Sequence, residues 1–133
     1  MSSPDLLPPY VELHCLSNFS FLRGASHPEE LVERAKNQGY SALALTDECT
    51  LASAVRAHLA AKGAGLSLVL GSEFTLIDGM KLVLLATDRA SYGDLSQLIT
   101  RGRRHAAKGT YKLARDDVAE RAATCLALWL PVL

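Results

Sequence analysis

A chain of 133 residues with fourteen basic and fourteen acidic side chains carries no net charge, so charge alone argues for no nucleic-acid or membrane-surface partner. The length suits one domain around one core, and no apolar run approaches the ~20 residues of a membrane helix. Cys15, Cys49 and Cys125 lie far apart without a CxxC pair, which argues against a structural zinc site or a disulfide framework and points to free thiols in a reducing compartment.

Residues 1–9 hold three prolines and Asp5. They lack the basic start and apolar stretch of a signal peptide, so they read as an extended or disordered lead on a cytoplasmic protein. Tyr10 to Leu16 is expected to form a short strand. Ser26 and Glu29 have capping-box spacing around Pro28, so a helix opens there, with Leu31, Val32 and Ala35 as its apolar stripe and Gly39 as its stop. The compact apolar run Ser41 to Thr46 predicts a strand covered on both faces. Leu51, Val55 and Leu59 mark the face of a second helix, ended by Gly63 or Gly65.

Leu66 to Leu70 predicts another buried strand, closed by Gly71. Phe74 to Ile77, Asp78-Gly79 and Lys81 to Leu85 predict a β-hairpin, because Asp-Gly suits the turn that strand twist prefers. Ser91 is expected to cap a third helix carrying Leu95, Leu98 and Ile99. A short helix near Asp116 to Ala122 precedes a last apolar run, Cys125 to Leu130. Alternating strands and helices predict an α/β fold with parallel strands. It is either an open doubly wound sheet or part of a barrel, since a closed (β/α) barrel usually needs over ~200 residues.

In both architectures function gathers at the C-terminal ends of the strands. His14, Asp47-Glu48 and Glu73 stand there. One imidazole and three carboxylates would suit a divalent metal that activates water and clamps phosphate oxygens. Each residue also has a structural reading: Asp47 as a helix N-cap, Glu48 as a partner of a helix dipole, His14 as a packed side chain. His27, His58 and His105 are assigned no chemistry. Arg101, Arg103, Arg104 and Lys108, with Lys112, Arg115 and His105 nearby, form either a solvated helix end or a patch that faces phosphate.

The segment ELHCLSNFSFLRGASHPEELVERAKNQGYSALALTDECTLASAVRAH resembles the opening of PHP (polymerase and histidinol phosphatase) domains in bacterial DNA polymerase III alpha subunits. GLSLVLGSEFTL and KLVLLATDRASYGDLSQLITRGRR continue the likeness, which runs from about Tyr10 to Leu130. NFSFLRGASHPEEL, ALTDECTLA and ITRGRRHAAKGTYKL are similar to the error-prone branch of these C-family polymerases. The resemblance implies an incomplete PHP-type distorted (β/α) barrel, with parallel strands and a β-hairpin insertion, over residues 10–133.

The family's first strand ends in His-x-His; His14 matches, and Leu16 replaces the second histidine. Its second strand ends in Thr-Asp-His; Thr46 and Asp47 match, and Glu48 replaces the histidine. Glu73 matches the glutamate after the third strand, and Lys81 stands where a histidine often follows. Leucine donates nothing and lysine adds a cation, so the resemblance implies a degenerate metal site of His14, Asp47, Glu48 and Glu73. Such a site would hold one zinc or manganese ion weakly, without the trinuclear cluster that phosphoesterase chemistry needs.

The resemblance further implies a longer parent that synthesises DNA on a template in damage-induced mutagenesis and translesion repair. It would use magnesium in a polymerase domain that is not in this chain. DNA and dNTPs would then be partners of the parent, with the sliding clamp and other mutagenesis proteins, and no membrane. The fragment itself would be an inactive scaffold that self-associates. The alternatives are the replicative alpha subunit and a stand-alone metal-dependent phosphoesterase.

Overall fold

The computed structural model describes residues 8–131. Most of the expected N-terminal lead, 1–7, lies outside them; Pro8 and Pro9 are exposed and non-regular. The described residues build one five-stranded sheet, curled as a half-barrel, from β1 (Val11–Glu12), β2 (Ala42–Leu45), β3 (Ser67–Thr75), β4 (Lys81–Leu85) and β5 (Leu126–Leu130) in that order. Four helices connect and cover it: α1 (Pro28–Asn37), α2 (Ala54–Ala64), α3 (Arg89–Arg104) and α4 (Arg115–Arg121).

β1, β2 and β3 pair in parallel through helical crossovers, and β4 runs antiparallel to both β3 and β5. The expected hairpin is therefore part of the sheet. Its turn is closed by the Gly79 N–H donating to the Leu76 carbonyl at 2.9 Å.

β3 does not stop at Gly71. Its first half pairs with β2 and its second half with β4. Glycine is needed there for close approach, since a Cβ at position 71 would lie 2.5 Å from the Leu84 carbonyl oxygen. By strand alternation, Leu43, Leu45, Phe74, Leu82 and Leu84 face the helices. Leu43 and Leu45 pack with Val32 and Ala35 of α1 and Ala57 and Ala61 of α2. Phe74, Leu82 and Leu84 pack with Leu95 and Leu98 of α3 and with Leu113. Ala44, Val83 and Leu85 form a smaller cluster on the opposite, inner face.

Three expectations shift on local grounds. The first helix is capped one residue later than expected: His27 is the N-cap, its N–H donates to the Glu30 carboxylate, and Glu29 instead pairs with Arg56 of α2. Asp88, not Ser91, caps α3; its carboxylate accepts the Ser91 N–H at 2.7 Å while the Ser91 hydroxyl binds the Asp88 carbonyl. The face of α2 is rotated from the expected stripe. Val55 and Leu59 are 70% and 63% exposed, whereas Ala54, Ala57 and Ala61 are buried, because small side chains let α2 approach α1 closely.

Candidate functional site

The ordered strand contains only Val11–Glu12, but its register outlasts it. The Thr46 N–H donates to the Cys15 carbonyl at 2.8 Å, which carries the β1–β2 pairing up to His14 and its neighbours. Likewise, the register that pairs Leu45 with Leu70 goes on to pair Glu48 with Glu73 in an isolated parallel bridge. The Glu73 N–H donates to the Asp47 carbonyl at 3.0 Å, and the Cys49 N–H donates to the Glu73 carbonyl at 2.9 Å. Sheet pairing thus brings His14, Asp47, Glu48 and Glu73 to one end of the sheet. Glu73 lies within β3 rather than after it.

The side chains split into two groups. His14 Nε2 is 3.1 Å from Glu73 Oε2. Asp47, 1% exposed, turns to the loop after β1: its carboxylate accepts the Ser17 N–H (2.7 Å), the Ser17 hydroxyl (2.8 Å) and the Ser20 hydroxyl (2.7 Å). It is neither a helix cap nor a neighbour of Glu73's carboxylate in the hydrogen-bond network. Glu48 also stands clear of a helix start, since α2 begins at Ala54.

Two residues that no sequence pattern singled out complete the site. Arg23 Nη1 lies 3.1 Å from both oxygens of Glu73 and 3.2 Å from Glu48 Oε1. Tyr111, from the segment between α3 and α4, donates its hydroxyl to Glu48 Oε2 at 2.7 Å and accepts the Thr75 N–H at 2.8 Å. Each oxygen of Asp47, Glu48 and Glu73 therefore has a donor. Burial opposes the Arg23 charge, but the hydrogen bonds and charges of Glu73 and Glu48 outweigh it and raise its pKa above the ordinary arginine value. Burial, then Glu48, pushes the Tyr111 phenol well up, so it stays a donor. Burial pushes the neighbouring thiols Cys15 and Cys49 up to about 11. Cys49 also holds a left-handed φ of 48°.

These donors do not fit a metal cluster. Among the described residues no group of three or more His, Cys, Asp or Glu side chains could hold a metal ion. Asp47 is turned away, and the facing oxygens of Glu48 and Glu73 already share a guanidinium. Leu16 is half-buried and supplies no donor. Lys81, opposite Thr75, lies on the same sheet face as Glu73 two register pairs on, and forms no ion pair among the described residues.

The basic stretch is divided as well. Arg101 pairs with Asp117 (2.7 Å) and Glu120 (3.5 Å). Arg103 donates to the Cys49 carbonyl at 3.0 Å and stacks over Tyr111, 5.4 Å from its ring centre, which props the phenol against Glu48. Arg104 and Lys108 remain exposed, and Arg104 lines an open cavity of about 500 Å³ with His105 and Arg121.

The PHP domain family matches residues 12–129. Error-prone DNA polymerases from Dechloromonas aromatica, Methylococcus capsulatus and Pseudomonas aeruginosa are 62%, 60% and 57% identical over 94%, 92% and 92% of this chain. The chain spans only 13%, 12% and 12% of their lengths. Two solved structures share the fold. A protein assigned as a metal-dependent phosphoesterase from Bifidobacterium adolescentis aligns at TM-score 0.61 with 28% identity, over 72% of this chain and 34% of its own. An amidohydrolase from Chromobacterium violaceum, solved with sulfate and no metal, aligns at TM-score 0.60 with 29% identity, over 71% of this chain and 33% of its own.

Proposed function

This chain belongs to the PHP domain family, and from that premise we propose that it is a non-hydrolytic scaffold unit, the N-terminal part of a PHP domain, within a longer error-prone DNA polymerase. The observation that carries the proposal is the donor-saturated site: Arg23, His14, Tyr111, Ser17 and Ser20 occupy the carboxylate oxygens that a phosphoesterase would offer to metals. A carboxylate already bound by internal donors neither clamps a metal nor activates water. At most one zinc or manganese ion would enter, weakly, by displacing Arg23. The residues present serve instead to tie the loop after β1 and the segment around Tyr111 to the end of the sheet.

In this reading the longer protein performs DNA-templated DNA synthesis in damage-induced mutagenesis and translesion repair. Its DNA, dNTPs and magnesium are handled by polymerase domains outside this sequence, and the sliding clamp and other mutagenesis proteins are its partners. Among the described residues of the basic stretch, Arg104, Lys108 and Lys112 are exposed, form no ion pair and would be the ones to face phosphate. No described helix is long and apolar enough to cross a membrane, and in this reading the longer protein works in the cytoplasm.

The runner-up is a metal-dependent phosphoesterase, favoured by the Bifidobacterium neighbour. A phosphomonoester hydrolysis assay on this chain with added manganese separates the two, with no turnover expected. Primer extension on a DNA template by the longer protein tests the polymerase part. Turnover in the first assay, or no extension in the second, would reject the corresponding half of the proposal.

A further inference from the structure

Glu73, like Asp47, is buried, with 1% of its side chain exposed. A buried carboxylate is stable only when a cation or several donors meet it. His14 meets one oxygen, and Arg23 meets both from a side chain 38% exposed at the rim. A single nitrogen, Nη1, serves both Glu73 oxygens and Glu48 Oε1. That is the geometry of a point cation held between acids, unlike the planar two-nitrogen fork that arginine usually offers one carboxylate.

The approach of Arg23 is prearranged by its backbone. The Ser20 N–H donates to the Ser17 carbonyl, and the Arg23 and Gly24 N–H groups both donate to the Ser20 carbonyl, each at 3.0 Å. Asp47 fastens this same turn through Ser17 and Ser20, and the Ser20 hydroxyl also accepts the Glu48 N–H at 3.0 Å. Gly24 seals the loop: a Cβ there would lie 2.0 Å from the Ser17 carbonyl oxygen. A loop this fixed delivers its guanidinium to one place with little further loss of conformational freedom.

We propose that Arg23 is the resident cation of this site, its guanidinium taking the Glu48 and Glu73 oxygens that, with His14, would otherwise hold a divalent ion, so that the site closes without metal and opposes its entry. The inference concerns only this chain's residues and holds or fails independently of the polymerase assignment.

The test is manganese binding by calorimetry on the whole chain, together with thermal unfolding with and without manganese. Arg23→Ala removes the cation and uncovers the acids, so its manganese affinity should rise roughly tenfold or more, because a like charge at contact distance no longer opposes the ion. Its melting temperature should fall without metal and recover with manganese. Adding Glu73→Gln to Arg23→Ala should abolish the gain, and Arg23→Lys, which keeps a point cation, should bind as poorly as the unmodified chain. If Arg23→Ala does not fold alone, manganese should restore folding, and failure to do so overturns the proposal. Equal affinity in the unmodified chain and Arg23→Ala, or equal stabilisation of both by manganese, also overturns it.

Discussion

Replacing Asp47 should destabilise the fold more than any single change at the exposed rim of the site. The side chain is 1% exposed and its carboxylate accepts hydrogen bonds from the Ser17 N–H, the Ser17 hydroxyl and the Ser20 hydroxyl. Ser17 and Ser20 are themselves buried, at 0% and 3% exposure, so water cannot replace the lost acceptor. Hydrogen bonds to a charged group contribute about 1.5–3 kcal/mol each, and a buried donor left unpaired costs about 1–3 kcal/mol. These effects overlap, so Asp47→Ala should cost about 3–5 kcal/mol, a large share of the roughly 5–15 kcal/mol typical of a domain. Asp47→Asn keeps one accepting oxygen and should cost about 1–3 kcal/mol. Equilibrium urea unfolding measures both, with the slope unchanged if the compactness of the two states is unchanged. A double-mutant cycle with Ser20→Ala isolates the Asp47–Ser20 interaction. Losses below about 0.5 kcal/mol for both variants, the range of a neutral surface substitution, would refute the anchoring role.

Gly24→Ala should dislodge the loop that carries Arg23, because its Cβ would meet the Ser17 carbonyl oxygen at 2.0 Å; faster amide hydrogen exchange at Ser20 and Arg23 would report it, and unchanged exchange would contradict it. The thiols give a pH signature. Burial holds Cys15 and Cys49 near 11 against an ordinary 9.0, so the unfolded chain deprotonates first; this contribution to stability is intact below about 9 and is lost as pH rises through about 11. Alkylation of both thiols near pH 7 should accordingly be much slower in the folded chain than in urea, and equal rates by mass spectrometry would refute it. Finally, β5 is an edge strand that exposes Leu126 (61%) and Trp129 (66%), so light scattering should show self-association that rises with concentration and weakens in Trp129→Lys; a monomer at high concentration would refute it.

Much of this architecture is legible in the sequence because it depends on local pattern. Asp78-Gly79 between two apolar runs marks the hairpin, and Leu95 with Leu98 marks the buried face of α3. The gathering of His14, Asp47, Glu48 and Glu73 at one end of the sheet was also readable, since residues at the ends of adjacent parallel strands must meet once the register is set, although the Asp47 side chain turns away to the loop after β1. Arg23 was not. Its partners lie 25 and 50 residues away, and the destination of a loop side chain is fixed by the fold of the loop rather than by periodicity. Tyr111 escaped for the same reason, 63 residues from Glu48. The face of α2 was misread because large apolar residues were weighed above alanines, whereas helix–helix closeness favours Ala57 and Ala61. For Arg101 to Lys108 the sequence left a solvated helix end and a phosphate-facing patch both open, because nothing local shows that Asp117 and Glu120 of α4 draw Arg101 away.

The change of partner midway along β3 sets an order for how the sheet can assemble. Its second half zips against β4 across a tight turn, with Thr75 opposite Lys81, a pairing that such hairpins reach in about 1–10 μs. Its first half must wait for β2 to arrive by way of α2, and the two-residue β1 can join only after that. Loop closure must be made before long-range pairing repays it, so the hairpin is the natural nucleus and β1 the last strand in. Val83→Ala should therefore slow refolding, while Val11→Ala should chiefly quicken unfolding, and stopped-flow measurements across a urea series would distinguish the two limbs.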